Sequence, residues 1–126
     1  MEEIPVRKNE EKELPIPSEW RPVFRSIVSA FVKGDYALNA EIEKVLPPTI
    51  DTVSQIKDYI EDYGEELIEL PEESWNTSIY MYHGNYWLVF IDLWTKREGR
   101  SDLVLRTEVR ENGSAYEFEI KLVYVP

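Results

Sequence analysis

Ile79-Tyr80-Met81-Tyr82-His83-Gly84-Asn85-Tyr86-Trp87-Leu88-Val89-Phe90-Ile91-Asp92-Leu93-Trp94 is the stretch on which the fold turns. Two apolar runs flank Gly84-Asn85, a dipeptide that suits a two-residue hairpin loop, so both runs read as antiparallel strands. Alternation then sets Ile79, Met81, Leu88, Phe90 and Trp94 on one face and Tyr80, Tyr82, Trp87, Val89, Ile91 and Leu93 on the other. Both faces are apolar. Helices cover only one side of a single sheet, so the second face needs an N-terminal arm, a curl of the sheet on itself, a ligand or another chain.

Working outward, Asn112-Gly113 reads as a second two-residue loop, with Glu111 opposite Ser114. That register sets Val109 against Tyr116, Thr107 against Phe118, Leu105 against Ile120 and Leu103 against Leu122, with Arg106 opposite Glu119 on the wet face. Upstream the period changes to 3.6. Ser18 is a candidate N-cap, Pro22 is tolerated in a first turn, and Trp20, Val23, Phe24, Ile27, Val28 and Phe31 share one stripe, closed by Gly34. Asp35 then reads as the cap of a short second helix carrying Leu38, Ile42, Val45 and Leu46, stopped by Pro47-Pro48. A third helix starts near Thr49 or Asp51, buries Val53, Ile56, Ile60 and Tyr63, and ends at Gly64. A short strand is expected at 67–70. Prolines at 5, 15 and 17 make the opening residues an extended arm. The expected fold is α+β, with three N-terminal helices packed on one face of a four- to five-stranded antiparallel meander. Residues 1–17 form the arm and 18–126 a single domain.

Composition narrows the function. The 126 residues include no cysteine and one histidine, which removes disulfides, thiolate chemistry and His-rich metal centres, so no metal or cofactor is expected. The net charge of −11 has the wrong sign for nucleic acid. An acidic N-terminus lacking an apolar run argues against a signal peptide, and no stretch approaches a membrane span, so a cytoplasmic location is expected. The charge is polarised: thirteen acids and five bases fall in residues 18–74, against seven acids and six bases in 75–126, the half that holds ten of the sixteen aromatics.

Four features are candidates for function. Asp58, Glu61, Asp62, Glu65, Glu66 and Glu69 lie in a run of eight acids with no base, suited to steering a basic partner or simply to solvation. Trp94, Arg97 and Arg100 form an aromatic and basic loop of the kind found at interface anchors, and Trp87 joins them; locally paired loop charges are the plainer account. Asp92 interrupts a strand that reads as central, so it needs a partner: Arg97, Arg100 or Thr77, the last of which lies directly across in this register. Tyr80, Tyr82, Trp87 and Asp92 would line a cone-shaped pocket if the sheet curled. His83, at the turn, has no nucleophile or carboxylate placed beside it by the sequence.

Trp20, Phe31-Val32-Lys33-Gly34-Asp35-Tyr36, Tyr63-Gly64, Leu70-Pro71, Trp75, Asp92-Leu93-Trp94-Thr95, Glu98-Gly99-Arg100-Ser101-Asp102-Leu103 and Val123-Tyr124-Val125-Pro126 together resemble a bacterial stand-alone domain family of unknown function, from about Ser18 onward. That resemblance implies no activity and carries no catalytic residue with it. Gly34-Asp35 also resembles the helix junction of the nuclear transport factor two-like cone, which implies a curved sheet around a pocket, although the His/Asp pair on facing strands is lacking. The sequence therefore leans away from an enzyme. It favours an interaction module, either homodimeric or an inhibitor- or immunity-type binder of a basic protein. The alternative is a small-molecule pocket or enzyme of the cone type.

Overall fold

The computed structural model describes residues 3–126, so the first two residues of the expected arm lie outside the described residues. The chain is α+β, with a five-stranded antiparallel sheet in the order β1 (Leu14–Pro15), β2 (Ile79–Tyr82), β3 (Trp87–Thr95), β4 (Gly99–Asn112) and β5 (Ala115–Tyr124). Among the described residues two α-helices, α1 (Arg21–Val32) and α2 (Ile50–Tyr63), accompany it instead of the three expected.

Ser18 is not the cap of the first helix. Its hydroxyl accepts the Ile4 amide at 2.7 Å and its own amide donates to the Ile4 carbonyl at 2.9 Å, so it fastens the arm to the domain. A 3-10 turn, Ser18–Trp20, leads into α1, with Pro22 in the first turn where its missing N–H costs nothing. The helix buries Phe24, Ile27, Val28 and Phe31 completely or nearly so. Each such side chain contributes roughly 1.5–3 kcal/mol.

The second expected helix does not form. The Asp35 carboxylate accepts the amides of Asn39 at 2.9 Å and Ala40 at 3.2 Å, which closes a wider loop than an N-cap. Leu38 and Lys44 take φ values of +53° and +71°, where a right-handed helix cannot continue. The apolar positions still turn inward, with Leu38 buried and Ile42 and Val45 packed on the core. Lys44–Leu46 instead runs along the free edge of β5. Phe118 donates to the Lys44 carbonyl at 2.8 Å, and Leu46 donates to the Phe118 carbonyl at 2.9 Å.

The last helix follows its sequence signals. The Thr49 hydroxyl accepts the Thr52 amide at 3.2 Å, and Gly64 closes the helix at φ +79°, a conformation that costs glycine little. Ile56 and Ile60 are buried, and the Gln55 amide exchanges two hydrogen bonds with the Val123 backbone at the β5 edge. Residues 67–70 form no strand, only a bridge from Leu67 to Thr95.

The first hairpin has the expected register, with Tyr82 opposite Trp87 and the His83 amide bonded to the Tyr86 carbonyl at 2.8 Å. The second is displaced by two residues. Asn112 pairs with Ala115 and the loop is Gly113-Ser114, so Val109 meets Phe118 and Arg110 meets Glu117. An even displacement preserves which side chains face inward. A bulge at Arg106/Thr107 then turns Leu122 outward opposite Arg106 and leaves Val123 buried.

The arm crosses the inward face. Pro15 and Leu14 pair with Ile79 and Tyr80 at the β2 edge, and Ile16 is fully buried. The Tyr80 hydroxyl accepts the Arg7 amide at 2.8 Å, and the Trp87 Nε1–H donates to the Arg7 carbonyl at 2.9 Å. Burial pushes the Tyr80 phenol above its ordinary pKa, against the opposing pull of the Arg7 amide. Stability that depends on the neutral phenol is therefore complete below about pH 10 and is lost as pH climbs through the folded-state value. Tyr80→Phe is expected to cost about 1–2 kcal/mol by urea unfolding at pH 7. It should also lessen the decline of stability above pH 10, as measured by repeating the unfolding series in alkaline buffers.

Candidate interaction surface

Alternate residues of β2 to β5 make the outward face of the sheet. Pairing sets Met81 beside Leu88, Ile79 beside Phe90, Phe90 beside Arg106 and Arg106 beside Leu122, with Asp92 beside Val104 in the next row. Ile79, Met81, Leu88, Phe90, Leu122 and Tyr124 are half-buried and stand outside the hydrophobic core cluster. The helices and the arm lie on the other side, so the second apolar face of the hairpin has no cover among the described residues.

One end of this face is finished by a bulge between Asp92 and Trp94. The buried Ser101 hydroxyl donates to the Leu93 carbonyl at 2.7 Å and accepts the Leu103 amide at 3.1 Å, satisfying backbone groups that the bulge takes out of the ladder. Gly99, at φ +75°, closes the β3–β4 loop, and a Cβ there would stand 3.5 Å from the Trp94 ring. Trp94 therefore lies over a glycine.

The other end carries a charge network. Glu108 stands directly opposite Glu119, a like-charge pair that would destabilise the sheet on its own. Arg110 reaches Glu108 at 2.5 Å and Glu119 at 2.9 Å, Lys121 lies 3.8 and 3.7 Å from the same two carboxylates, and the Arg110 guanidinium also stands 5.6 Å from the Tyr86 ring centre. Burial works against the Arg110 charge, yet the two carboxylates outweigh it and hold its pKa above the ordinary value. Between the two ends, Asp92 and Arg106 occupy adjacent rows. The Asp92 carboxylate and the Arg106 guanidinium form no hydrogen bond or ion pair with any described residue, and Arg106 Nε is buried without a partner.

The residues singled out in the sequence are distributed as follows. Asp58, Glu61, Asp62 and Glu66 are exposed on α2 and the link after it; Glu65 lies 3.7 Å from Arg97, and Glu69 accepts a 3.3 Å hydrogen bond from the Ser29 hydroxyl. Arg100 is exposed opposite Trp94 and pairs with neither Asp92 nor Asp102. Trp87 is fully inside the core, so it anchors the arm and is out of a partner's reach. The four pocket candidates are not brought together: Tyr80, Tyr82 and Trp87 belong to the inward face and Asp92 to the outward one. Thr77 is not paired with Asp92 either, because β2 begins at Ile79 and the Ser78 hydroxyl accepts the Asp92 amide at 3.0 Å. The inward face is packed with the buried Trp20, Phe24, Phe31 and Phe118. An open depression of about 620 Å³ beside α2 is lined by Lys33, Asp35, Lys57 and Glu61 among others, and by none of the four. His83 is exposed and stacks on Tyr86 at 5.5 Å.

Among the described residues no three His, Asp or Glu side chains are grouped to hold a metal ion, and no helix is long and apolar enough to cross a membrane. Phe90, Leu88 and Arg106 were missed as site residues, although the strand alternation already put them on the second face. With this surface in view, the class is an α+β domain with one covered and one open sheet face. A family model described as a domain of unknown function (DUF7668) matches residues 28–126, and the chain belongs to that family. No curated protein and no solved structure matches it.

Arg110→Ala leaves Glu108 facing Glu119 with only the more distant Lys121 between them. The expected loss is about 0.5–1 kcal/mol, since the network is partly exposed. Thermal unfolding at low and at molar salt checks this, because added salt should shrink the loss.

Proposed function

We propose that this chain is a non-enzymatic protein-interaction module whose contact surface is the outward face of the sheet. The observation that carries the reading is the row of half-buried apolar side chains, Ile79, Met81, Leu88, Phe90 and Leu122, that neither helix nor arm covers. Apolar side chains gathered on a sheet face that the rest of the fold leaves uncovered mark a place where another surface rests. The packed inward face, with Asp92 on the opposite side of the sheet, supports an interaction role over a cone-shaped pocket. The exposed acids of α2 supply long-range attraction toward a basic protein, and the sheet face supplies the apolar contact.

Size-exclusion chromatography with light scattering over a hundred-fold concentration range, together with retention of basic proteins on the immobilised chain at low salt, tests this. Phe90→Glu should abolish whichever association the parent chain shows while leaving its circular dichroism unchanged. A parent chain that stays monomeric throughout and retains no basic protein would overturn the reading.

A further inference from the structure

Resting on the interaction-module reading, we infer that the occupant of the outward face is a second copy of this chain, docked face to face about a two-fold axis that sets Asp92 of each copy against Arg106 of the other. Three observations lead there.

Edge pairing is obstructed at both ends of the sheet. Pro15 of β1 has no amide to donate, and the free edge of β5 is occupied at Phe118 by Lys44 and Leu46 and at Val123 by Gln55. A partner therefore meets the sheet through its face.

Charge selects the partner. On β3 to β5 the outward face holds Asp92, Asp102, Glu108, Glu117 and Glu119 against Arg100, Arg106, Arg110 and Lys121, five acids and four bases. The chain as a whole carries −11, so nearly all of its net charge resides elsewhere. Two copies meeting through this face bring together nearly neutral surfaces and keep their acidic helical sides apart. A strongly basic partner would find little excess of acid here.

The third observation fixes the axis. Arg106 is paired with Phe90, and Asp92 is two residues further along the same strand, so the two charges are diagonal neighbours near the middle of the sheet. Neither has a partner among the described residues. An axis lying in the contact plane and passing between them places each carboxylate over the other copy's guanidinium. One unpaired acid and one unpaired base thus become two reciprocal ion pairs, the self-complementarity that a two-fold contact requires. Four strands about 4.8 Å apart and six residues about 3.3 Å apart make a face of roughly 400 Å² in projection. That is about half of the ~800 Å² per partner of a standard interface, which puts the dimer in the size class of weak, transient contacts.

Sedimentation equilibrium on Asp92→Arg, on Arg106→Asp and on their equimolar mixture tests the pairing. Each variant alone sets like charges across the axis, so self-association should weaken about tenfold or more. The mixture restores opposite charges at both positions and should form a heterodimer close to the parent affinity, an effect that pairing within one chain cannot produce. Should a charge reversal fail to fold, Asp92→Asn and Arg106→Gln probe the same pair, and each should weaken the dimer without repulsion. A parent dimer whose variants all associate as well as it does, or whose mixture stays monomeric while both variants are folded, overturns the Asp92–Arg106 contact. If Phe90→Glu still abolishes that parent dimer, the face itself stands as the contact. A parent chain that is monomeric yet retains a basic protein overturns the second copy and keeps the interaction module.

Discussion

Trp20 holds the two layers together. Its indole meets Tyr80, Trp87, Tyr116 and Phe118 edge-on, with ring centres 5.3 to 6.0 Å apart, so one side chain from a 3-10 turn touches β2, β3 and β5. Contacts of this geometry contribute about 0.5–1.5 kcal/mol each beyond the area they bury. The same ring leaves its Nε1–H buried without a partner, which costs about 1–3 kcal/mol. Four ring contacts and the burial of the whole indole outweigh one orphaned donor. The arm follows from this cluster, because Tyr80 and Trp87, held by Trp20, both bond the backbone of Arg7.

The family match begins at Val28, in the middle of α1, whereas Ile16, Trp20 and Phe24 are all fully buried in the same core. The physical domain is therefore longer than the matched range. Cutting at Val28 would remove the indole on which the aromatic cluster converges and would expose Tyr80, Trp87 and Phe118. The conserved pattern of a family describes what its members share, while the core is defined by what must be kept from water.

Much of this was legible in the sequence, and the losses have specific causes. Periodicity located α1, α2 and the first hairpin because each has one dominant signal: an apolar stripe, a Thr49 cap with a Gly64 stop, a Gly84-Asn85 loop. Residues 35–46 carry a helical stripe too, but tertiary pairing with Phe118 and the wide loop closed by Asp35 override it, and the same apolar positions serve an irregular segment equally well. Asn112-Gly113 located its turn yet misplaced the register by two residues, since Gly113 alone supplies a first loop position with φ +65°. Bulges leave no local mark. The two-residue displacement sets Glu108 against Glu119 and so separates Arg106 from it, and the bulge at Arg106/Thr107 then sets Leu122 opposite Arg106 where a straight ladder would set Lys121. The pocket reading failed on alternation, which places Asp92 and Trp87 on opposite faces of β3.

The apolar outward face is separated from strand addition by how the edges are treated. Uncovered edges recruit further strands and lead to open-ended assembly. Here a proline strand, an irregular segment and a glutamine side chain occupy them. What is left is a face bounded by the Arg110 network at one end and by Trp94 over Gly99 at the other. A face can be covered once, by one partner, whereupon no equivalent surface remains exposed. Blocked edges close the route to strand addition and leave the face as the surface through which the proposed contact would form.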